Sequence, residues 1–322
     1  TGHMTSLLKG LLVPLCVYAI LAVSLNLTVG ILGELSLGHA GFMCVGAFTS
    51  AVFTKCMMHT ITVPTVRFLL ALLVGVVCAG ICGVLIGIPV LRLRGDYLAI
   101  VTLAFGEIIK NVINVLYVGK DENGLHFAIN DSKSLNMSGT GEMIIDGAKG
   151  ITGTPRQSTF LIGVILILVA LFVVFNLVNS RSGRAIMAIR DNRIAAESVG
   201  INITKFKLMA FTISAAIAGA GGVLYAHNLS SLIAQPANFG YNMSIMILVF
   251  VGGMGSFRGS IIAAVVLTML PEVLRGLRDY RMLIYAVVLI AMMLFNWAPA
   301  AITWRQTHSL KNLFAKKPKE VQ

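Results

Sequence analysis

Long apolar stretches separated by short polar ones run along most of the chain. A transmembrane α-helix needs about twenty mostly apolar residues to cross the hydrocarbon core of a bilayer. The pattern therefore predicts an all-α polytopic membrane protein with about eight to ten transmembrane helices. The seventh and eighth stretches are short, so one of them could be a half-helix or a re-entrant segment. The predicted spans are residues 11–31, 40–58, 68–91, 97–118, 160–178, 208–226, 243–251, 261–274 and 282–297.

The polar stretches divide the chain into a few parts. Residues 1–4 are interpreted as an expression scar, and residues 5–304 as one integrated transmembrane domain. Its two long loops are residues 119–158 and residues 180–207, and residues 305–322 form a basic tail. The first loop is too small and too polar for an independent core, so no separate soluble domain is expected.

Glycine clusters interrupt the apolar pattern at residues 33–39 and 252–256. Backbone that leaves the helical path at membrane depth is tolerated only beside protein or a water-filled cavity. The first break could therefore line or gate a path across the membrane, whereas a simple turn between two helices agrees better with the span count. The candidate path residues here are Glu34, Ser36 and His39, and the candidate hinge glycines are Gly33, Gly252, Gly253 and Gly255.

Composition excludes an ordinary soluble protein, because 57% of the 322 residues are hydrophobic and 12% are charged, against about 25% charged in an average soluble domain. The excess of 25 Lys+Arg over 13 Asp+Glu would suit a nucleic-acid-binding protein, but the basic residues lie in clusters between apolar stretches. Such clusters mark cytoplasmic loops. We therefore expect residues 92–94, 180–207 and 305–322 in the cytoplasm, residues 119–158 outside the membrane, and no nucleic-acid partner.

No residue pattern points to catalysis or to a bound cofactor. The sequence lacks the nucleotide-binding P-loop, the HExxH zinc motif and the Gly-x-Ser-x-Gly nucleophile motif. Its histidines and cysteines also lack the spacing of a metal site. We therefore expect no catalytic residue, metal or cofactor in this chain. Active transport would then draw its energy from an ion gradient or from a partner protein.

Glu107 lies near the middle of the predicted fourth span, where a charge costs roughly 2.5–3.5 kcal/mol on insertion scales. Lys110 follows three residues later on the same helix face and could neutralise this charge as an ion pair. Alternatively, Glu107 could line a polar path together with Thr102 and Asn111.

The loop of residues 180–207 is predicted to form one or two short amphipathic helices. Ile186, Ile189, Ile194 and Val199 supply the apolar positions, and Gly200 is a suitable helix stop. A short helix between two spans suits docking to a partner subunit. The alternative is a solvated loop with anchoring arginines.

Several stretches resemble the permease subunits of branched-chain amino acid ABC importers, of the LivM-like type. The most specific is residues 91–108, which begin Leu-Arg-Leu-Arg-Gly-Asp-Tyr, and residues 35–42, 211–216 and 252–256 match as well. Within the loop of residues 180–207, the Ala-Ala pair followed by Gly200 resembles part of the coupling-loop signature of ABC importers.

This resemblance implies a fold like that of ribose-importer permeases, with glycine-rich helix breaks, in a multi-pass permease of the bacterial inner membrane. The implied partners are a second homologous permease, two cytoplasmic ATPase subunits that hold the ATP and Mg²⁺, and an extracytoplasmic binding protein that delivers leucine, isoleucine or valine. Another cargo, such as a nucleoside or a sugar, and an ion-coupled secondary transporter are the alternatives. The implied ATPase-coupling residues are Arg184, Arg190, Asp191, Ala195, Ala196, Glu197 and Gly200.

Overall fold

The computed structural model describes residues 6–58, 60–93, 95–121, 124–129, 141–234 and 237–273, together with residues 283, 286–287, 289–291 and 294. The chain divides into two compact units, Thr1–Thr268 and Met269–Gln322. The predictions for residues 1–4, for Arg94, for the tail of residues 305–322 and for most of the span at residues 282–297 fall outside the described part.

Helices make up most of the described chain, as the hydropathy pattern predicts. The first helix continues directly into a π-helical segment, π1 (Leu27–Leu32). The α-helices are α1 (Ser6–Asn26), α2 (His39–Cys56), α3 (Pro64–Val90), α4 (Asp96–Val115), α5 (Phe160–Asn179), α6 (Arg181–Asp191), α7 (Arg193–Ser198), α8 (Ile203–Ala226), α9 (Phe239–Gly252) and α10 (Phe257–Val273).

Five helical segments in the described part are long and apolar enough to cross a membrane. A sixth, Phe239–Gly252, is apolar but shorter. The predicted helical membrane fold is confirmed, and the helices are roughly consistent with eight to ten spans. The five segments are Gly10–Leu32, Pro64–Val90, Asp96–Val115, Phe160–Asn179 and Ile203–Ala226.

Small residues bring α2, α3 and α8 into close contact. A Cβ atom added to Gly46 would lie 2.5 Å from the carbonyl oxygen of Gly219, and one added to Gly83 would lie 2.7 Å from the Cβ of Ala215. Small residues allow helix backbones to approach closely inside a membrane, where packing replaces the hydrophobic effect as the cause of helix association. Helix α8 accordingly packs against α1, α2 and α3.

The polar loop after α4 contains a small β-sheet that the hydropathy pattern does not predict. Helix α4 ends at Val115, before the predicted end at residue 118, and the chain continues directly as a strand. Val118, Ile144 and Ile145 are buried in one cluster with α2 residues, so the sheet shares the core of the helices. The strands are β1 (Leu116–Asp121), β2 (Gly124–Ile129) and β3 (Glu142–Asp146), antiparallel in the order β2-β1-β3, and the antiparallel pair β4 (Ile151–Thr152) and β5 (Ser231–Leu232).

Candidate functional site

The α6–α7 segment, residues 181–200, contains two short helices with well-formed ends and the two residues that follow them. Ser180 accepts a hydrogen bond from the backbone N–H of Gly183 and begins α6, and Asn192 does the same for Ala195 and begins α7. Gly200, at φ 84°, follows α7 in the left-handed region that favours glycine. Of the one or two short helices predicted here, the structure contains two, and the predicted glycine follows the second.

The apolar residues of this segment divide between two sides. Ile186 and Ile189 are buried against the rest of the protein, whereas Ile194 is 81% exposed and Val199 is 75% exposed. The sequence pattern groups all four as one apolar set, but the kink between α6 and α7 turns the last two outward.

Arg190 joins the α6–α7 segment to the glycine-rich break after α1. Its Nη1 atom donates to the carbonyl oxygen of Gly30 at 2.9 Å. Its Nε and Nη2 atoms donate to Oδ1 of Asp191 at 3.0 and 2.9 Å. The Arg190 side chain also lies against Gly33, which has φ 77° and ends π1. The guanidinium thus holds the break from the side of the predicted coupling loop.

A buried ion pair fixes the same break from a second side. The ammonium of Lys207 on α8 contacts the Oε1 atom of Glu34, and the two side chains are only 5% and 16% exposed. A buried charge is tolerated when an opposite charge compensates it. Glu34 therefore holds the break to α8 in this conformation. A cavity of about 230 Å³ beside the pair is lined by Leu32, Gly33, Glu34, Gly95, Ile189, Arg190, Arg193 and Lys207.

The end of α1 and the π1 segment lie in direct contact with the second glycine-rich break, residues 252–256. Oδ1 of Asn26 accepts a hydrogen bond from the backbone N–H of Gly255 at 2.7 Å. A Cβ atom on Gly30 would overlap the Gly255 backbone. Gly253 and Gly255 adopt φ values of 92° and 82°, which a residue with a side chain rarely adopts. Nothing in the sequence pattern singles out Asn26 or Gly30, because both lie inside an apolar stretch.

Ser36 and His39 of the first break and Thr102 of α4 are all buried. Nε2 of His39 lies 2.6 Å from Oγ of Ser214, and Oγ1 of Thr102 accepts a hydrogen bond from the backbone N–H of Leu37 at 3.0 Å. Nδ1 of His39 and Oγ of Ser36 are buried without a hydrogen-bond partner. Thr102 thus supports the break, and its side chain is fully buried.

Glu107 and Lys110 form the predicted ion pair on α4, with 2.8 Å between Oε2 and Nζ. Glu107 is 37% exposed at its side chain, so it does not face the buried interior of this chain. Asn111 is exposed on the same helix, whereas Thr102 is fully buried. The structure therefore does not assemble these three residues into one polar lining.

The remaining predicted residues differ in their surroundings. Ala196 is buried, whereas Ala195, Glu197 and Arg184 are exposed on the α6–α7 segment. Gly252 packs against the backbone of Gly259 and Ser260. Over the ranges that the structure describes, no group of three His, Cys, Asp or Glu residues is placed to hold a metal ion.

Residues 7–295 match the family described as branched-chain amino acid transport system / permease component. The chain is 34% identical over 305 residues to the high-affinity branched-chain amino acid transport system permease protein LivM of Salmonella typhimurium. The aligned residues cover 89% of this chain and 67% of that protein. The protein of the same name in Escherichia coli strain K12 is 34% identical over 313 residues, or 93% of this chain and 71% of that protein.

A more distant relative has a different cargo in its name. The ribose import permease protein RbsC of Haemophilus influenzae is 27% identical over 296 residues, which cover 87% of this chain and 82% of that protein. No solved structure matches the chain at a significant level. The resemblance carried by residues 35–42, 91–108, 211–216 and 252–256 is thus confirmed over nearly the whole sequence. The chain belongs to the family of branched-chain amino acid transport system permease components.

Proposed function

We propose that this chain imports branched-chain amino acids as the permease subunit of an ATP-driven transporter in a bacterial inner membrane. It would work with a second homologous permease, two cytoplasmic ATPase subunits and an extracytoplasmic binding protein. The observation that carries the proposal is the two-sided α6–α7 segment. Its outer side exposes Ile194 and Val199, and its inner side holds Gly30 through Arg190.

The outer side of the α6–α7 segment is the proposed ATPase dock. Burial of apolar surface stabilises a complex by roughly 25 cal/mol per Å², so Ile194 and Val199 would anchor the segment in a groove of the ATPase. Arg184, Ala195 and Glu197 would complete the contact at its rim. ATP and Mg²⁺ would bind to the ATPase subunits. On this proposal the α6–α7 segment, residues 92–94 and residues 305–322 lie in the cytoplasm.

The inner side of the α6–α7 segment is the proposed transmission to the membrane helices. The Nη1 atom of Arg190 and the carbonyl oxygen of Gly30 are 2.9 Å apart, so displacement of α6 would pull on π1. The pair of Glu34 and Lys207 would carry the same displacement to α8. Buried ion pairs and hydrogen bonds have narrow geometric tolerance, which makes them suitable to transmit small movements.

The path for the amino acid would be controlled by the breaks that these contacts hold. Ser36, His39 and Thr102 are buried in this conformation, and the Glu34 side chain is engaged by Lys207 and only 16% exposed. These four residues would therefore reach the path only after the break moves. Glu107 and Asn111 are accessible on α4 without such a movement. Glu107→Gln, with Lys110 unchanged, should lower leucine uptake if Glu107 lines the path and leave uptake unchanged if it only pairs with Lys110.

Reconstitution in liposomes tests the proposal directly. The chain is combined with candidate second permease, ATPase and binding-protein subunits, and the uptake of labelled leucine is measured with ATP, with a non-hydrolysable ATP analogue, and with an imposed ion gradient alone. We expect uptake only with ATP and with all subunits. Labelled ribose and a labelled nucleoside are measured in parallel. Uptake of either in place of leucine would contradict the cargo, and uptake without ATPase subunits would contradict the mechanism.

A further inference from the structure

We propose that Asn26 and Gly30 are positioning residues that transmit movement of the α6–α7 segment to the glycine break between α9 and α10. The inference rests on the proposed function, since it assumes that the α6–α7 segment moves when the ATPase subunits bind ATP. It adds the residues that connect this movement to the second break, residues 252–256.

Asn26 is the last residue of α1 and is fully buried. Its Oδ1 atom accepts from the backbone N–H of Gly255 at 2.7 Å, and its Nδ2 atom donates to Oγ of Ser260 at 2.8 Å. These bonds join positions 229 and 234 residues apart in the chain. Because both ends of the amide are engaged in a buried setting, loss of either bond leaves a desolvated polar group. The amide thus ties the end of α1 to the second break and to α10, which follows it.

Gly30 lies between the α6–α7 segment and the second break, the two parts that the proposed relay connects. Its carbonyl oxygen accepts the hydrogen bond from Arg190 of α6 at 2.9 Å. Its other side faces Gly255 and Asn26, and a Cβ atom there would overlap the Gly255 backbone and the Oδ1 atom of Asn26. Glycine is therefore required at position 30 for space. The α6–α7 segment and the second break are in consequence separated by the thickness of a single residue.

The segment that contains Gly30 departs from regular α-helical geometry. Residues 27–32 are π-helical, and π-helical turns within α-helices are rare and are frequent at functional sites. The segment ends at Gly33 in the left-handed region, where the N–H of Glu34 bonds to the carbonyl oxygen of Thr28 at 3.1 Å. A π turn that shifts toward α would rotate Gly30 and Asn26 together. Contiguous packed groups with two arrangements are the physical basis of coupling between distant sites.

The alternative is a static brace, in which Asn26 only stabilises the fold. A matched control separates the two. Thr28 of π1 is also fully buried, and among the described residues its hydroxyl donates to the carbonyl oxygen of Leu25 at 2.9 Å and not to the second break. Asn26→Leu removes the hydrogen bonds to Gly255 and Ser260. Thr28→Val removes a buried hydroxyl and leaves those hydrogen bonds in place. Ser260→Ala removes one of the two Asn26 bonds and serves as the milder variant if Asn26→Leu assembles poorly.

The first measurement is leucine uptake per ATP hydrolysed by the complete reconstituted transporter. We expect Asn26→Leu to lower this ratio about fivefold or more, the range of a typical coupling between sites, while ATP hydrolysis continues. Thr28→Val should retain the wild-type ratio, and Ser260→Ala should fall between them. A ratio that is unchanged in Asn26→Leu and Ser260→Ala, or equally lowered in Thr28→Val, would overturn the relay.

A double variant tests the connection with Arg190. If both residues act in one relay, Arg190→Met combined with Asn26→Leu should transport as poorly as the worse single variant, because effects within one network do not add. Multiplied losses would mean that the two residues act independently and would overturn the relay.

A measurement that does not depend on leucine uptake tests this inference separately from the proposed function. Amide hydrogen exchange at residues 252–256 is compared in the assembled complex with ATP and with ADP. The relay predicts a nucleotide-dependent change in the wild type and in Thr28→Val that is lost in Asn26→Leu. Equal changes in all three would overturn the relay even if leucine uptake is normal. A wild-type complex that shows the exchange change but no leucine uptake would overturn only the cargo of the proposed function.

Discussion

The joint, which we define as the end of α1, π1 and the side chains of Glu34, Arg190 and Lys207, contains an ion pair, and so does the loop that follows β3. The two pairs differ in exposure and in sequence separation. At the joint, Glu34 pairs with Lys207 across 173 positions of sequence, and both side chains are largely buried. At the sheet, Lys149 pairs with Asp146 three positions earlier, and the Lys149 side chain is 79% exposed. Contacts between distant, buried groups make the joint a unit in which one part cannot move alone. The exposed pair near the sheet is a local contact that can be lost without consequence elsewhere.

The largest effect is expected from loss of one partner in the buried pair. Lys207→Met leaves the carboxylate of Glu34 buried and unpaired, which should cost about 3–5 kcal/mol of unfolding free energy. Thermal unfolding of the purified permease in detergent measures this. Glu34→Gln added to Lys207→Met should restore much of the loss, and Lys205→Met at an exposed position is the control. A loss as large in the Lys205 variant would show that the pair has no special role.

Gly200 tests the geometry of the α6–α7 segment itself. The position has φ 84°, and a Cβ atom there would meet no other atom within 4 Å. Gly200→Val should therefore cost roughly 1–2 kcal/mol through backbone strain alone, and Gly200→Asn should cost less because asparagine tolerates this region. Uptake per ATP hydrolysed should fall more in the valine variant than in the asparagine variant. Equal values would show that the turn after α7 need not keep this shape.

Ile194 and Phe127 compare the exposed apolar residues of the two regions. Ile194 is 81% exposed on α7 and Phe127 is 67% exposed on β2. We expect Ile194→Ala to weaken binding of the ATPase subunit about tenfold, which corresponds to about 1.4 kcal/mol. Phe127→Ala should leave that affinity unchanged. Titration of the detergent-solubilised permease with the ATPase subunit measures both. If Phe127→Ala weakened binding of the ATPase subunit and Ile194→Ala did not, the ATPase would bind at the sheet and not at the α6–α7 segment.

The smallest effect is expected at Lys149. The hydrogen bond to Asp146 and the charge of that carboxylate raise the pKa of Lys149 above its ordinary value of 10.5. A raised lysine pKa stabilises the folded state below 10.5, and this contribution is lost as the pH rises through the raised pKa. Because the group is exposed, water screens the pair, and Lys149→Met should leave the thermal midpoint unchanged at neutral pH. A clear shift would mean that this loop holds the sheet in place.

The predictions from sequence succeeded where the signal is local. Hydropathy marks the helices, the i, i+3 spacing marks the pair of Glu107 and Lys110, and Gly200 marks the end of α7. The hydropathy pattern does not predict strands β1–β3, because their apolar runs are short and lie in a polar loop. Thr102 and Asn111 were grouped by composition, although the structure buries the first and exposes the second. The roles of these residues in transport remain predictions.

Local sequence was sufficient to establish a helical membrane permease, its family and its helix breaks, since hydropathy, glycine clusters and motifs are properties of neighbouring residues. It could not show that 94% of an apolar 18-residue stretch within Gly10–Leu32 is buried, against 17% of such a stretch within Phe160–Asn179, because both segments are simply long and apolar. Nor could it show that Asn26, Gly30, Arg190 and Gly255 meet. That meeting depends on packing between segments of the chain as many as 229 residues apart, and burial of a polar group is defined only once those segments enclose it.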